Sequence, residues 1–247
     1  MSFGLSRGRQ LDVAPGVVMV SDEELGPLPD DVMNNPEAGR LDPRAWFPLR
    51  AKENGCDRPF EIEIGSGKGT FLMQHAPTTP GTDYLGIEWA GEFCIYAADR
   101  IRRAQLPNVR MLRTDATEFL RWRVPGGIVD VIHLYFSDPW PKTKHHKKRV
   151  VQDRFLADAW RVLKSGGELR VVTDHDALWA WDREHFDRWC GGGPCPNHDG
   201  QAPAFAEKPF AKPISAGEGE LVGTNFERKF RKEGRNFHST VLQKLAP

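Results

Sequence analysis

Four acidic side chains, Glu63, Glu88, Asp115 and Asp138, each end or closely follow a short apolar run: "FEIEI", "YLGI", "VRML" and "VDVIHLYF". Apolar runs of this length, bounded by glycine and polar residues, read as buried strands. Laid side by side in one parallel sheet, they bring all these carboxylates to a single crevice beyond the strand ends, where such sheets bind ligands. Directly after Glu63, the residues Gly65, Gly67 and Gly69 of "GSGKGT" make a strand–glycine loop–helix junction of the kind that cradles nucleotides. Taken singly, each acid has a plainer role as a helix cap or solvated loop residue. Their common register is what points to a site. Glu61 shares the strand face of Glu63 but lies farther from the loop, so it is left out.

Three ligands compete for this loop. A phosphate-binding P-loop needs glycine five positions before its Gly-Lys pair, and Ile62 stands there. Glu63 would also face a triphosphate, although Asp138 could imitate the magnesium-binding aspartate of such enzymes. A dinucleotide fingerprint wants glycine where Thr70 stands. S-adenosylmethionine suits the acids better, because its sulfonium and ammonium groups are cationic and its ribose offers two hydroxyls. Glu88, after the second strand, would accept the ribose hydroxyls, and Asp115, after the third, would reach the adenine amino group.

A second cluster follows the fourth strand. In "FSDPWPKTKHHKKRVV", Asp138 leads into a proline-stiffened turn with an indole, and then come Lys142, Lys144, Lys147, Lys148 and Arg149. Cations at the start of a helix oppose its dipole, and phosphate contact is a use that would compensate. Aromatic residues beside them suit a nucleotide lifted from its stack. Together, "EIGSGKG", "GIEW", "DPWPKTKHHKKR" and "TNFE" resemble the bacterial tRNA (guanine-N7)-methyltransferases in order and spacing, from about residue 40 onward. The resemblance implies methyl transfer from S-adenosylmethionine to N7 of a guanine in the tRNA variable loop. It implies cofactor contacts from Glu63, Glu88, Asp115 and Asp138 beside the glycine loop, with Asp138 also at the catalytic position. It further implies substrate contacts from Lys142, Asp174, Thr224, Asn225, Phe226 and Glu227. Thr143 departs from the family, where a basic residue is common. The alternatives are a methyltransferase of another RNA or of a small molecule, and a tRNA-binding protein without catalysis.

The elements that must position these residues follow from periodicity. The strand runs alternate with amphipathic helices around residues 91–106 and from Val151 to a stop at Gly166 and Gly167. Such alternation predicts an α/β fold with a doubly wound, mostly parallel sheet. Two candidate strands around Gly234 predict an antiparallel C-terminal pair. Residues 1–45, rich in proline, glycine and acids, read as an arm with little regular structure, ahead of a methyltransferase domain over 46–247. Within that domain, residues 190–213 read as a surface insertion. Cys190, Cys195 and His198 lack a recognisable fourth ligand, so no metal is expected.

Among the 247 residues, 34 basic and 34 acidic side chains balance, so an RNA partner must meet a local basic patch. No apolar stretch approaches the ~20 residues that span a bilayer, no basic-then-apolar leader is evident, and the four cysteines are scattered. A cytoplasmic protein is the expectation.

Overall fold

The computed structural model describes residues 10–52, 57–191, 195 and 203–246. Its centre is a seven-stranded sheet in the order β3-β2-β1-β4-β5-β7-β6. The strands are β1 (Phe60–Ile64), β2 (Asp83–Ile87), β3 (Val109–Leu112), β4 (Val129–Tyr135), β5 (Leu163–Thr173), β6 (Phe205–Lys208) and β7 (His238–Lys244). Pairings among β1 to β5 are parallel, whereas β7 runs antiparallel to both β5 and β6. The helices are α1 (Asp22–Leu25), α2 (Pro48–Lys52), α3 (Thr70–His75), α4 (Gly91–Arg103), α5 (Ala116–Trp122), α6 (Asp153–Val162), α7 (Asp176–Cys190) and α8 (Asn225–Lys232).

Period-two alternation splits β1 between two cores. Phe60, Ile62 and Ile64 enter the cluster that also holds residues of α5, α6 and α7, and Ile132 and Leu134 of β4 do the same. The opposite face carries Glu61, Glu63, His133 and Tyr135 towards the side built by α3 and α4. There Glu61 is spent on structure: its Oε2 lies 2.7 Å from Nε2 of the buried His133, whose Nδ1 meets the Tyr135 hydroxyl at 2.7 Å.

Three expectations need correction. The first half of the C-terminal stretch is helix α8, not a strand; Thr224 caps it by accepting from the Glu227 amide at 3.1 Å. The Thr-x-x-Glu spacing of a capping box was the legible signal for that helix start. The antiparallel partner of β7 on its outer side comes instead from Phe205–Lys208, inside the stretch read as a surface insertion, and Phe205 is fully buried. Finally, α6 ends at Val162, before the two glycines, and Gly166 (φ 78°) lies in an irregular start to β5, where the register against β4 shifts.

The N-terminal segment has short turns of helix and no strand of its own among the described residues, yet it is docked. The Met111 amide donates to the Val18 carbonyl (2.8 Å) and the Val20 amide to the Met111 carbonyl (2.9 Å), covering the outer edge of β3. Covering an edge in this way removes a row of unpaired backbone groups.

Candidate active site

The loop between β1 and α3 has positive φ at Gly65 (74°), Gly67 (52°) and Gly69 (65°), a backbone path that side chains disfavour. At Gly69 the space is also closed, since a Cβ there would sit 3.0 Å from that of Ala97 on α4. Lys68, which tempts a P-loop reading, lies over the rings of Phe93 and Tyr96 on α4, 5.9 and 5.8 Å from their centroids.

Glu63 and Glu88 flank this loop. Glu88 Oε2 accepts from the Gly67 amide at 2.7 Å and Oε1 from the Ala90 amide at 2.8 Å, so the carboxylate is held rigidly and each oxygen keeps a lone pair. Glu63 is 4% exposed, and its Oε2 has no hydrogen-bond partner among the described residues. Burial, opposed by the Ser66 hydroxyl and reinforced by Glu88, raises its pKa to about 8. An orphaned, buried carboxyl oxygen beside a glycine loop is a costly arrangement that a cationic group would relieve. The donor set therefore fits a ligand bearing a sulfonium and an ammonium.

Asp115 caps α5: Oδ1 accepts from the Thr117 amide (2.8 Å), the Glu118 amide (3.2 Å) and the Thr117 hydroxyl (2.7 Å). Its exposed side chain keeps the second oxygen for another partner. Beyond β4 the backbone turns sharply. Phe136 (φ 56°) and Trp140 (φ 40°) bracket the exposed Asp138 with conformations that cost bulky residues roughly 1–3 kcal/mol each. Packing holds them there: Phe136 meets Phe230 and Phe237 at 6.1 and 5.8 Å, and Lys148 lies 4.6 Å over the Trp140 ring.

The basic run divides. Lys142, Lys144, Lys147 and Lys148 are exposed, as phosphate contact requires. Arg149 is not; it is 3% exposed, donates to the Pro139 carbonyl at 3.0 Å, and stacks 5.2 Å over Trp181. It braces the turn that carries Asp138 and cannot meet a phosphate. Nothing in the charge pattern distinguished it from its neighbours.

The remaining candidates also sort by exposure. Asn225 and Phe226 are exposed at the start of α8, and the Phe226 ring lies 3.9 Å from where a Cβ on Gly67 would stand. Thr224, 7% exposed, is the cap. Glu227, read as a substrate contact, is fully buried: it accepts from the Leu221, Val222 and Gly223 amides and pairs with Arg231, so it builds the loop from within. Asp174 is engaged by Arg235 at 2.6 Å, a partner that lay beyond the legible part of the motif. Cys190 and Cys195 form no disulfide among the described residues, and His198 lies outside them.

A family described as "Putative methyltransferase" matches residues 57–239. The tRNA (guanine-N(7)-)-methyltransferase of Streptococcus pyogenes serotype M5 (strain Manfredo) is 36% identical over 169 residues, covering 68% of this chain and 76% of that protein. The chain belongs to the tRNA (guanine-N7)-methyltransferase family. The Streptococcus equi subsp. equi (strain 4047) member is 36% identical over 156 residues, which is 63% of this chain and 74% of its own. Solved structures of two methyltransferases share the fold. One is the antibiotic-resistance enzyme Kmr, at TM-score 0.50 and 21% identity over 81% of this chain and 92% of Kmr. The other is the aminoglycoside-resistance enzyme NpmB1, at TM-score 0.50 and 16% identity over 80% and 93%. In this chain Glu63, Glu88, Asp115 and Asp138 stand at or just beyond the carboxyl ends of β1, β2, β3 and β4, and no described helix is long and apolar enough to cross a membrane.

Proposed function

We propose that this chain transfers the methyl group of S-adenosylmethionine to N7 of a guanine in the variable loop of tRNA. The observation that carries the reading is the unpaired Oε2 of buried Glu63, which sits where a cationic methyl donor would be welcomed, between the glycine loop and Glu88. S-adenosylmethionine supplies an electrophilic methyl group on a positively charged sulfur. Glu63 would hold its cationic part, Glu88 the ribose hydroxyls, and Asp115 the adenine amino group.

Guanine N7 is an acceptor with an in-plane lone pair and no proton, so no base is needed to deprotonate it. Alignment can then supply much of the rate, up to roughly 7–11 kcal/mol in well-oriented systems. Asp138, presented on the strained turn after β4, would orient the guanine or stabilise the positive charge left on the methylated purine. Phe226 and Trp140 offer stacking faces, and Lys142, Lys144 and Lys147 would follow the phosphate backbone.

Incubating the protein with unmodified tRNA and methyl-labelled S-adenosylmethionine, then digesting the RNA to nucleosides, should place the label in 7-methylguanosine. Label in another nucleoside, in another RNA class or only in small molecules would reject the assignment. Asp138→Asn should lower kcat at least tenfold with little change in tRNA affinity, and normal turnover would remove its catalytic role.

A further inference from the structure

The segment that precedes α8 has no regular structure between Lys208 and Asn225, yet it delivers Thr224, Asn225 and Phe226 to the glycine loop. Three of the bonds made by this segment and α8 end on one short helix. Thr70, the first residue of α3, accepts from the Asn225 side-chain amide at 2.9 Å. One turn later, Gln74 Oε1 accepts from Arg228 Nη2 at 3.1 Å. The adjacent His75, kept neutral because burial lowers its pKa to about 4, places Nδ1 2.9 Å from the Ser215 hydroxyl. At its start α3 follows directly on Gly69, the last left-handed residue of the glycine loop flanked by Glu63 and Glu88. A helix of six residues, joined to one ligand's loop by covalent continuity and to the other's by side-chain bonds, cannot shift without moving both.

We propose that Thr70, Gln74 and His75 are positioning residues that register the substrate segment on the methyl-donor loop, so that donor binding and RNA binding strengthen each other. The inference rests on the proposed function. A ligand that orders the glycine loop fixes α3, and the RNA then meets Asn225 and Phe226 already set in place. Linkage makes the effect reciprocal. The acceptors, Thr70 and Gln74, belong to α3 and not to the residues assigned to either ligand, so each bond can be cut from that side with Asn225 itself unaltered.

The test measures the Kd of an unmodified tRNA transcript with and without saturating S-adenosylhomocysteine. The native protein should bind RNA about tenfold more tightly with the product present, within the usual range of coupling. Thr70→Val, which keeps shape and removes the acceptor, should reduce that ratio below about twofold while each ligand's separate affinity changes little. Thr70→Ser should restore it, an outcome that a merely structural role for Thr70 does not predict. Gln74→Ala should reduce the ratio partially, and it decides the matter if Thr70→Val fails to fold. Equal coupling in the native protein and the folded variants would overturn the proposal. So would absent coupling in a native protein that still makes 7-methylguanosine, an outcome that leaves the proposed function standing. A native protein that makes no 7-methylguanosine would remove both.

Discussion

Two buried carboxylates at opposite ends of the parallel strands show how differently this chain treats the same chemical problem. Asp83 opens β2, is fully buried, and is flanked by Arg50 Nη2 at 3.0 Å and Arg58 Nε at 3.1 Å. Those guanidinium groups donate onward, Arg50 to the Arg58 carbonyl and Arg58 to the Pro80 carbonyl, each at 2.6 Å. Glu63, near the end of β1, is almost as buried, but no cation lies beside it among the described residues, and the neighbouring charge, Glu88, is of its own sign. A charge compensated within the chain ties elements together. A carboxyl left without a counter-charge beside a glycine loop marks a place for a cationic ligand.

The comparison predicts opposite responses to neutralisation. Asp83→Asn should take the counter-charge from Arg50 and Arg58 and cost about 3–5 kcal/mol of stability, read as a lowered urea midpoint at unchanged slope. An unaffected midpoint would mean that the cluster adds nothing to the fold.

Glu63→Gln should do the reverse to the ligand-free protein. The folded-state pKa, about 8, stands above the ordinary glutamate value of 4.5, so folding favours the proton. Glu63 therefore supports the fold at low pH, and its contribution is lost as pH rises from 4.5 through about 8. At pH above that range, the glutamine variant should be more stable than the native protein by about 1–3 kcal/mol, while its affinity for S-adenosylmethionine falls at least tenfold. A variant that binds the donor normally would break the contrast with Asp83.

Smaller still is the proton itself. Near neutral pH, binding a cation beside Glu63 should release a fraction of a proton, measured as a dependence of calorimetric heat on buffer ionisation enthalpy, and Glu63→Gln should abolish it. The smallest effect belongs to the exposed rim. Lys142→Ala should flatten the salt dependence of tRNA binding by about 0.7–0.9 log units for one lost phosphate contact. An identical slope would show that Lys142 meets no phosphate.

Legibility followed burial and locality. All the strands that carry the acids were readable because each is a compact apolar run between polar turns, and β1 and β3 fall on the expected residues. The edge strand Phe205–Lys208 was not, because its four residues follow a stretch dense in glycine and proline and become a strand only through pairing with β7. Residues 225–232 misled because Phe226 and Phe230 fit a strand's alternation as well as a helix's i,i+4 spacing. In the site, residue types were legible and their employment was not. Glu227 and Arg149 look like contacts in a motif, yet both are buried and bind the protein's own backbone.

The chain's local patterning, by itself, determined the strands that carry the acids, that acids would stand at strand ends around a glycine loop, and that a lysine-rich turn would follow Asp138. Those features depend on neighbours within a few residues. Only the tertiary structure decided which acids remain open to a ligand. Whether a carboxylate is already satisfied depends on groups far away in sequence: Arg50 and Arg58 for Asp83, the Gly67 amide for Glu88, and, for Glu63 Oε2, no group at all among the described residues.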